Sequence, residues 1–318
     1  MNPPCRTLFV GAVEEGRRCL DALVADGERF AGIVTLNDDL ASKTSGAVSF
    51  DDVARDQDVP LIKVGDLNLE ANIARVREIA PDLILVIGWT RLLGPALLQL
   101  PRLGCVGFHA SLLPRYRGRA PVNWAIINGE KETGNTMFFL DKGVDTGDII
   151  AQRRIPIAVD DSCATLYRKV ADSAIGMLRE NLPLLKQGRA PRVAQDHARA
   201  TVMPQRRPED GLIDWGKSSR QLYDWVRALT HPYPGAFSHL EGRRLFVWEA
   251  RDAGARASAT GAVDAGTVLG ADGDDLLVAA GEGAIALRSI QWQGGAEAPG
   301  ATLSTMSGRR FDGAKRTS

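Results

Sequence analysis

Two polar segments hold the residue types that acid–base chemistry requires. Residues 108–130 read FHASLLPRYRGRAPVNWAIINGE and contain His109, the hydroxyl of Ser111 and the cations Arg115, Arg117 and Arg119. Residues 141–148 read DKGVDTGD and place Asp141, Asp145 and Asp148 around Gly143 and Gly147. A histidine facing a carboxylate can act as an acid–base pair. Neutral and oriented, the imidazole takes a proton from an attacking amine; protonated, it stabilises a developing oxyanion. His109 is one of four histidines, follows an apolar run and precedes a Pro-containing turn. Those features also suit a histidine that caps a turn, and residue type alone does not decide. The arginine run is not a helix face, because Pro114 and Gly118 interrupt it. It either clamps phosphate or carboxylate or is a solvated loop, and spacing alone favours the loop. By spacing, Thr133-Gly134 and Thr146-Gly147 read as turns.

Other chemistries lack their signatures. Gly11-Ala12-Val13-Glu14 has no G-x-G-x-x-G, so dinucleotide binding is not supported. There is no Walker loop, HExxH or GxSxG. Cys5, Cys19, Cys105 and Cys163 are scattered without CxxC spacing, which implies reduced thiols in a cytoplasmic protein and no metal site. The 39 basic and 39 acidic residues balance, so no global field draws the chain to nucleic acid or membrane. No apolar stretch reaches the roughly 20 residues that span a bilayer, and the N-terminus does not read as a signal peptide.

The polar segments need elements to hold them. Hydrophobic periodicity predicts strands at 8–11, 30–36, 60–64 and 82–87, with helices at 14–25, 50–56 and 69–79. A loop over 37–47, a short helix at 95–100 and a strand at 103–106 lead into the first polar segment. A helix at 120–128 follows it, and strands at 136–140 and 149–156 flank the acidic loop. A long amphipathic helix covers 163–186, capped by Asp160-Asp161-Ser162. This alternation implies an α/β fold, a Rossmann-like, doubly wound and mostly parallel sheet, over 1–188. Residues 189–205 read as a linker. One helix (219–229) and short strands at 236–240, 245–250, 266–269, 276–279 and 284–290 imply a smaller C-terminal β-barrel, OB-like, over 206–305. Residues 306–318 read as a loose tail.

The motifs as a set resemble the folate-dependent formyltransferase family, over nearly the whole chain. Gly107-Phe108-His109-Ala110-Ser111-Leu112-Leu113-Pro114 and Arg117-Gly118-Arg119-Ala120-Pro121 are similar to its Asn-x-His-x-Ser-Leu-Leu-Pro and Arg-Gly-x-x-Pro. Asp141-Lys142-Gly143-Val144-Asp145-Thr146-Gly147 resembles its Asp-x-Gly-x-Asp-Thr-Gly. Met203-Pro204-Gln205, GLIDW at 211–215 and His231-Pro232-Tyr233-Pro234-Gly235-Ala236 resemble the start of its C-terminal domain. The resemblance implies transfer of a formyl group from N10-formyltetrahydrofolate to an amine, without metal. It selects His109 and Asp145 as catalytic, with Ser111 beside them. It places the pterin along Ile87, Gly88, Trp89, Leu92, Gly143, Val144 and Asp145. The acceptor then meets Arg115, Arg117, Arg119 and Asn123.

One position departs from the pattern. The family's catalytic Asn falls at Gly107, which has no side-chain amide to hold the oxyanion. Loss of one such donor costs about a hundred- to thousandfold in turnover. A water, Ser111 or Asn123 could replace it, the reaction could be modified, or the chain could be a weakened enzyme; replacement is the preferred account, and Gly107→Asn is then expected to keep or raise activity.

The acceptor is expected to be a small amine, a nucleotide-linked amino sugar. The loop 36–43 is acidic where a tRNA-binding insert should be basic, and 206–318 carries 14 basic and 14 acidic residues. Methionyl-tRNA formyltransfer, formyltetrahydrofolate hydrolysis and non-catalytic folate binding are the alternatives. A membrane partner is not expected, nucleic acid is disfavoured, and a homodimer is left open.

Overall fold

The computed structural model describes residues 4–254 and 263–312. The chain divides into two compact units: Met1–Pro121, Glu132–Pro156 and Tyr167–Pro204 form the first, and Val122–Lys131, Ile157–Leu166 and Gln205–Ser318 the second.

The first unit is built on β1 (Thr7–Val10), α1 (Glu14–Ala25), β2 (Gly32–Leu36), α2 (Asp38–Ala41), α3 (Asp51–Gln57), β3 (Leu61–Val64), α4 (Glu70–Ile79), β4 (Leu83–Val86), α5 (Pro95–Leu98) and β5 (Cys105–His109). Then come β6 (Arg117–Gly118), α6 (Pro121–Ile127), which belongs to the second unit from Val122 on, β7 (Glu132–Phe139), β8 (Ile149–Pro156), α7 (Cys163–Lys186), which enters this unit at Tyr167, and β9 (Val202–Met203). Seven strands form one sheet in the order β3-β2-β1-β4-β5-β7-β8. The first five are parallel, β7 pairs antiparallel with β5, and β8 pairs antiparallel with β7. Residues of β1 and β4 are buried on both faces, which explains their continuous apolar runs.

Alternation sorts the strand residues onto two cores. Phe9, Leu85, Ile87, Val106 and Met137 pack with α1, α3 and α7. Leu8, Val10, Ile84, Val86 and Cys105 pack with α4 and α5, and Trp89, Leu93 and Leu140 extend that layer. Gly107 and His109 share the second face with Cys105, by the period of two along β5.

The second unit contains α8 (Ser219–Leu229) and an antiparallel sheet of β10 (Ala236–Leu240), β11 (Arg243–Gly254), β12 (Val268–Asp272), β13 (Asp275–Ala279), β14 (Ala284–Trp292) and β15 (Glu297–Pro299). The strand order is β10-β11-β14-β13-β12, with β15 on β14. Ser218 caps α8, accepting from the Gln221 N–H while Gln221 returns a bond to the cap.

Four expectations need correction. The strand before the acidic loop starts at Glu132, so Thr133-Gly134 lies within β7 and is no turn. The loop over 37–47 contains the short helix α2, capped by Asn37. The stretch 189–205 is no free linker: Val193 bridges Ile149, and β9 pairs in parallel with β6. The tail is fixed as far as 312. Arg310 bridges Thr267, Asp312 bridges His239, and Phe311 is 1% exposed and stacked on Trp215 at 4.7 Å. This segment joins the two ends of the antiparallel sheet. Residues 313–318 of the expected tail lie outside the described residues.

Candidate active site

His109 ends β5 and is followed by a loop folded back on itself. Ser111 donates from its hydroxyl to the Arg115 carbonyl at 2.7 Å, and the Ser111 carbonyl accepts from Thr136 Oγ at 2.6 Å. Gln152 donates to the Leu113 carbonyl at 2.8 Å and to Thr136 at 2.9 Å. The turn brings the Tyr116 carbonyl to 2.6 Å from His109 Nε2. A carbonyl only accepts, so Nε2 carries the proton and Nδ1 is the open nitrogen of the neutral ring.

Nδ1 faces Asp145 Oδ2 at 3.5 Å, with the two side chains 8% and 19% exposed. The same Oδ2 accepts from the Gly118 backbone N–H at 2.8 Å. Asp145 has φ of 55°, Tyr116 59° and Ala120 51°. Three non-glycine residues in the left-handed region cost of order 1–3 kcal/mol each and persist only where the surroundings enforce them. Gly118, at φ of 97°, lies so close to the Met203 carbonyl that a Cβ would stand 2.5 Å from it. Only glycine lets β6 and β9 approach and deliver its N–H to Asp145.

Asp141 is spent differently: its Oδ1 accepts from the Gly143 N–H at 3.0 Å and the Thr146 hydroxyl at 2.6 Å, closing the loop. Asp148 lies 3.7 Å from Arg192. Geometry therefore singles out Asp145 among the three acids.

The structure separates the other expected site residues. Ser111 is 1% exposed and braces the 109–116 loop instead of facing the pair. Asn123 is 1% exposed in the second unit, and its amide donates to the Ala228 carbonyl at 2.6 Å. Neither offers a replacement for the missing amide. Arg117 is 7% exposed, with Nη2 at 2.6 Å from Gln195 Oε1 and 3.0 Å from His197 Nδ1. Arg115 and Arg119 are exposed. Ile87 is fully buried and packs on the opposite core from Trp89, so its side chain does not line the rim. Sequence reading missed Gln195, which donates to the Asp145 and Gly147 carbonyls at 3.0 and 2.8 Å. It also missed Asn68, whose amide holds the Leu92 carbonyl at 3.0 Å and whose oxygen accepts from the Gly94 N–H at 2.6 Å. No local pattern marks either residue; both act across long sequence separations.

Gly107 lies two residues before His109 and on the same face. A Cβ there would meet Leu140 Cδ2 at 2.8 Å. Leu140 therefore covers the place where a side chain at 107 would begin.

A formyl transferase profile matches residues 8–182, and a formyl transferase C-terminal domain profile matches 206–306. A methionyl-tRNA formyltransferase from Geobacter sulfurreducens is 34% identical over 309 residues, covering 96% of this chain and 95% of that one. The crystal structure of HypX from Aquifex aeolicus in complex with tetrahydrofolic acid superposes with a TM-score of 0.69 at 18% identity; the match covers 99% of this chain and 49% of that one. The N-formyltransferase from Helicobacter canadensis in complex with folinic acid and dTDP-3-aminofucose gives a TM-score of 0.64 at 15% identity, covering 89% and 98%. The chain belongs to the folate-dependent formyltransferase family, and it is a formyltransferase whose donor is N10-formyltetrahydrofolate.

The rim fits such a donor. Trp89 Nε1 is buried without a hydrogen-bond partner, a donor that a heteroaromatic ring could satisfy. Leu92 and Val144 are 66% and 47% exposed, apolar surface of the kind a flat ring covers. Among the described residues, no cluster of His, Cys, Asp and Glu is arranged to hold a metal, and no helix is long and apolar enough to cross a membrane.

Proposed function

We propose that this chain transfers the formyl group of N10-formyltetrahydrofolate to the amino group of methionyl-tRNA. The end-to-end likeness to a methionyl-tRNA formyltransferase, 34% identical over 96% of the chain, carries the reading. It displaces the amino-sugar nucleotide expected from the acidic 36–43 loop. A local cationic surface supports it despite zero net charge. Pairing of β6 with β9 gathers Arg115, Arg119 and Arg199, all exposed, around the ribbon that touches both His109 and Asp145. Phosphates of an RNA backbone are the natural counterions for such a cluster.

When bound, the folate supplies an activated formyl group. Trp89, Leu92, Gly143 and Val144 would hold its ring system at the sheet rim. Asp145 keeps Oδ2 on the Gly118 N–H, which leaves Oδ1 to accept a proton from the amine. His109 keeps Nε2–H on the Tyr116 carbonyl, so its Nδ1 exchanges a proton on the Asp145 side, and the proton taken from the amine is returned to the donor nitrogen as its bond to the formyl carbon breaks. The pair's burial strengthens these charge interactions relative to water. With no amide at 107, the imidazolium bears more of the charge developing on the formyl oxygen.

The test is incubation with the donor, methionyl-tRNA and a panel of small amines that includes nucleotide-linked amino sugars, read by mass spectrometry for one added formyl group. Formyl-methionyl-tRNA should form with kcat/KM at least about a hundredfold above any small amine. Transfer to an amino-sugar nucleotide alone would reverse the acceptor. Formate release without an acceptor would make the chain a hydrolase.

A further inference from the structure

Arg117 is a buried guanidinium with no carboxylate within ion-pair distance among the described residues. Burying such a charge without an ion pair is costly, so its position calls for a role. Its partners supply one. Arg117 Nε and Nη2 both donate to Gln195 Oε1, at 3.2 and 2.6 Å, and Nη2 also donates to His197 Nδ1 at 3.0 Å. Arginine has only donors, so it fixes which end of the Gln195 amide faces it. The oxygen must point to Arg117, and the NH2 must point away. There it meets two acceptors, the Asp145 carbonyl at 3.0 Å and the Gly147 carbonyl at 2.8 Å. Gln195 is 6% exposed, and its amide uses both its donors and its acceptor.

Asp145 is thereby gripped at two points. Its backbone, at φ of 55°, is held by Gln195, and its carboxylate by the N–H of Gly118, the residue following Arg117. We propose that Gln195 is a positioning residue for the Asp145 carboxylate, with Arg117 setting the orientation of the Gln195 amide. The inference rests on the formyl-transfer reading of the His109–Asp145 pair. It assigns to the stretch after α7 a part in the site, and it gives Arg117 a task other than meeting the acceptor.

Gln195→Glu separates this role from simple packing. The shape is kept and the oxygen facing Arg117 becomes half of an ion pair, so the fold is not weakened at that end. The other oxygen now confronts two carbonyls where an NH2 had donated. Gln195→Met, which removes both ends, is the second variant. Two readouts decide: amide hydrogen exchange at Gly118, with Leu8–Val10 of β1 as the internal reference, and the split of kcat against KM. Exchange at Gly118 should rise at least tenfold in both variants with β1 unchanged. The kcat should fall about tenfold to a hundredfold, as for a misplaced catalytic group, with the donor KM within twofold. Unchanged Gly118 exchange overturns the proposal, and so does faster exchange with wild-type kcat. A wild-type chain that transfers no formyl group would sink the functional reading, and Gly118 exchange would still decide whether Gln195 holds Asp145.

Discussion

Leu140 and Gly107 behave as one position split between two residues. A side chain at 107 must displace a Leu140 methyl that stands 2.8 Å from its Cβ. That methyl is the far end of a flexible side chain, so a small rotation of Leu140 admits a larger residue. Gly107→Asn is therefore expected to keep or raise kcat, and Gly107→Asn combined with Leu140→Ala to turn over at least as fast. A large loss in the single variant that Leu140→Ala restores would make Leu140 the obstacle. The acid–base pair is tested more directly. Asp145→Asn suits the left-handed backbone, which Asn tolerates, and removes only the charge. It and His109→Ala should each lower kcat by at least about a hundredfold, with thermal midpoints close to wild type. Near-full activity in either would separate that residue from the chemistry.

Glu15 on α1 makes a prediction for an element. It is partly buried, and burial pushes its carboxyl up to about 7. An unfolded glutamate titrates near 4.3, so the folded chain holds this proton more tightly. Stability from that source is full below about pH 4 and is lost as the pH rises toward 7. The first turn of α1 favours a negative charge by roughly 0.3–1 kcal/mol, which offsets part of the loss. Glu15→Gln should therefore stabilise by about 3 kcal/mol at pH 8 and by nearly nothing at pH 4, measured by urea unfolding at both pH values. Elements with a complete local signal were legible. The helices at Glu14–Ala25, Cys163–Lys186 and Ser219–Leu229 follow from 3.6-residue periodicity, helped by side-chain caps at Ser162 and Ser218 for the last two. The first residues of β7 were not legible, because Glu132 and Thr133 do not look like an apolar strand; they are one because β8 pairs with them. Motif spacing led to His109 and Asp145, but Gln195 and Asn68 act through contacts that no neighbouring residue announces. Segments 201–203 and 309–312 became ordered elements for the same reason: their hydrogen-bond partners are distant in the chain.

For the molecule as a whole, zero net charge conceals local asymmetry. If methionyl-tRNA is the acceptor, its KM should climb steeply with salt, and Arg115→Gln, Arg119→Gln and Arg199→Gln should each lower the logarithmic salt slope by about one. A KM indifferent to salt would argue for a small acceptor. The antiparallel sheet of the second unit makes a separate prediction. Phe311 lies against Trp215, and the N–H groups of Phe311 and Asp312 donate to Gly266 and His239 at 2.9 and 2.7 Å. A stop codon after Gly308 should abolish cooperative unfolding of this unit, seen as loss of its near-ultraviolet aromatic signal. The segment lies past residue 306, where the family profile ends. A ribosome making this protein must therefore translate beyond Asp312, and release those residues from its exit tunnel, before the edges of the antiparallel sheet can be tied together.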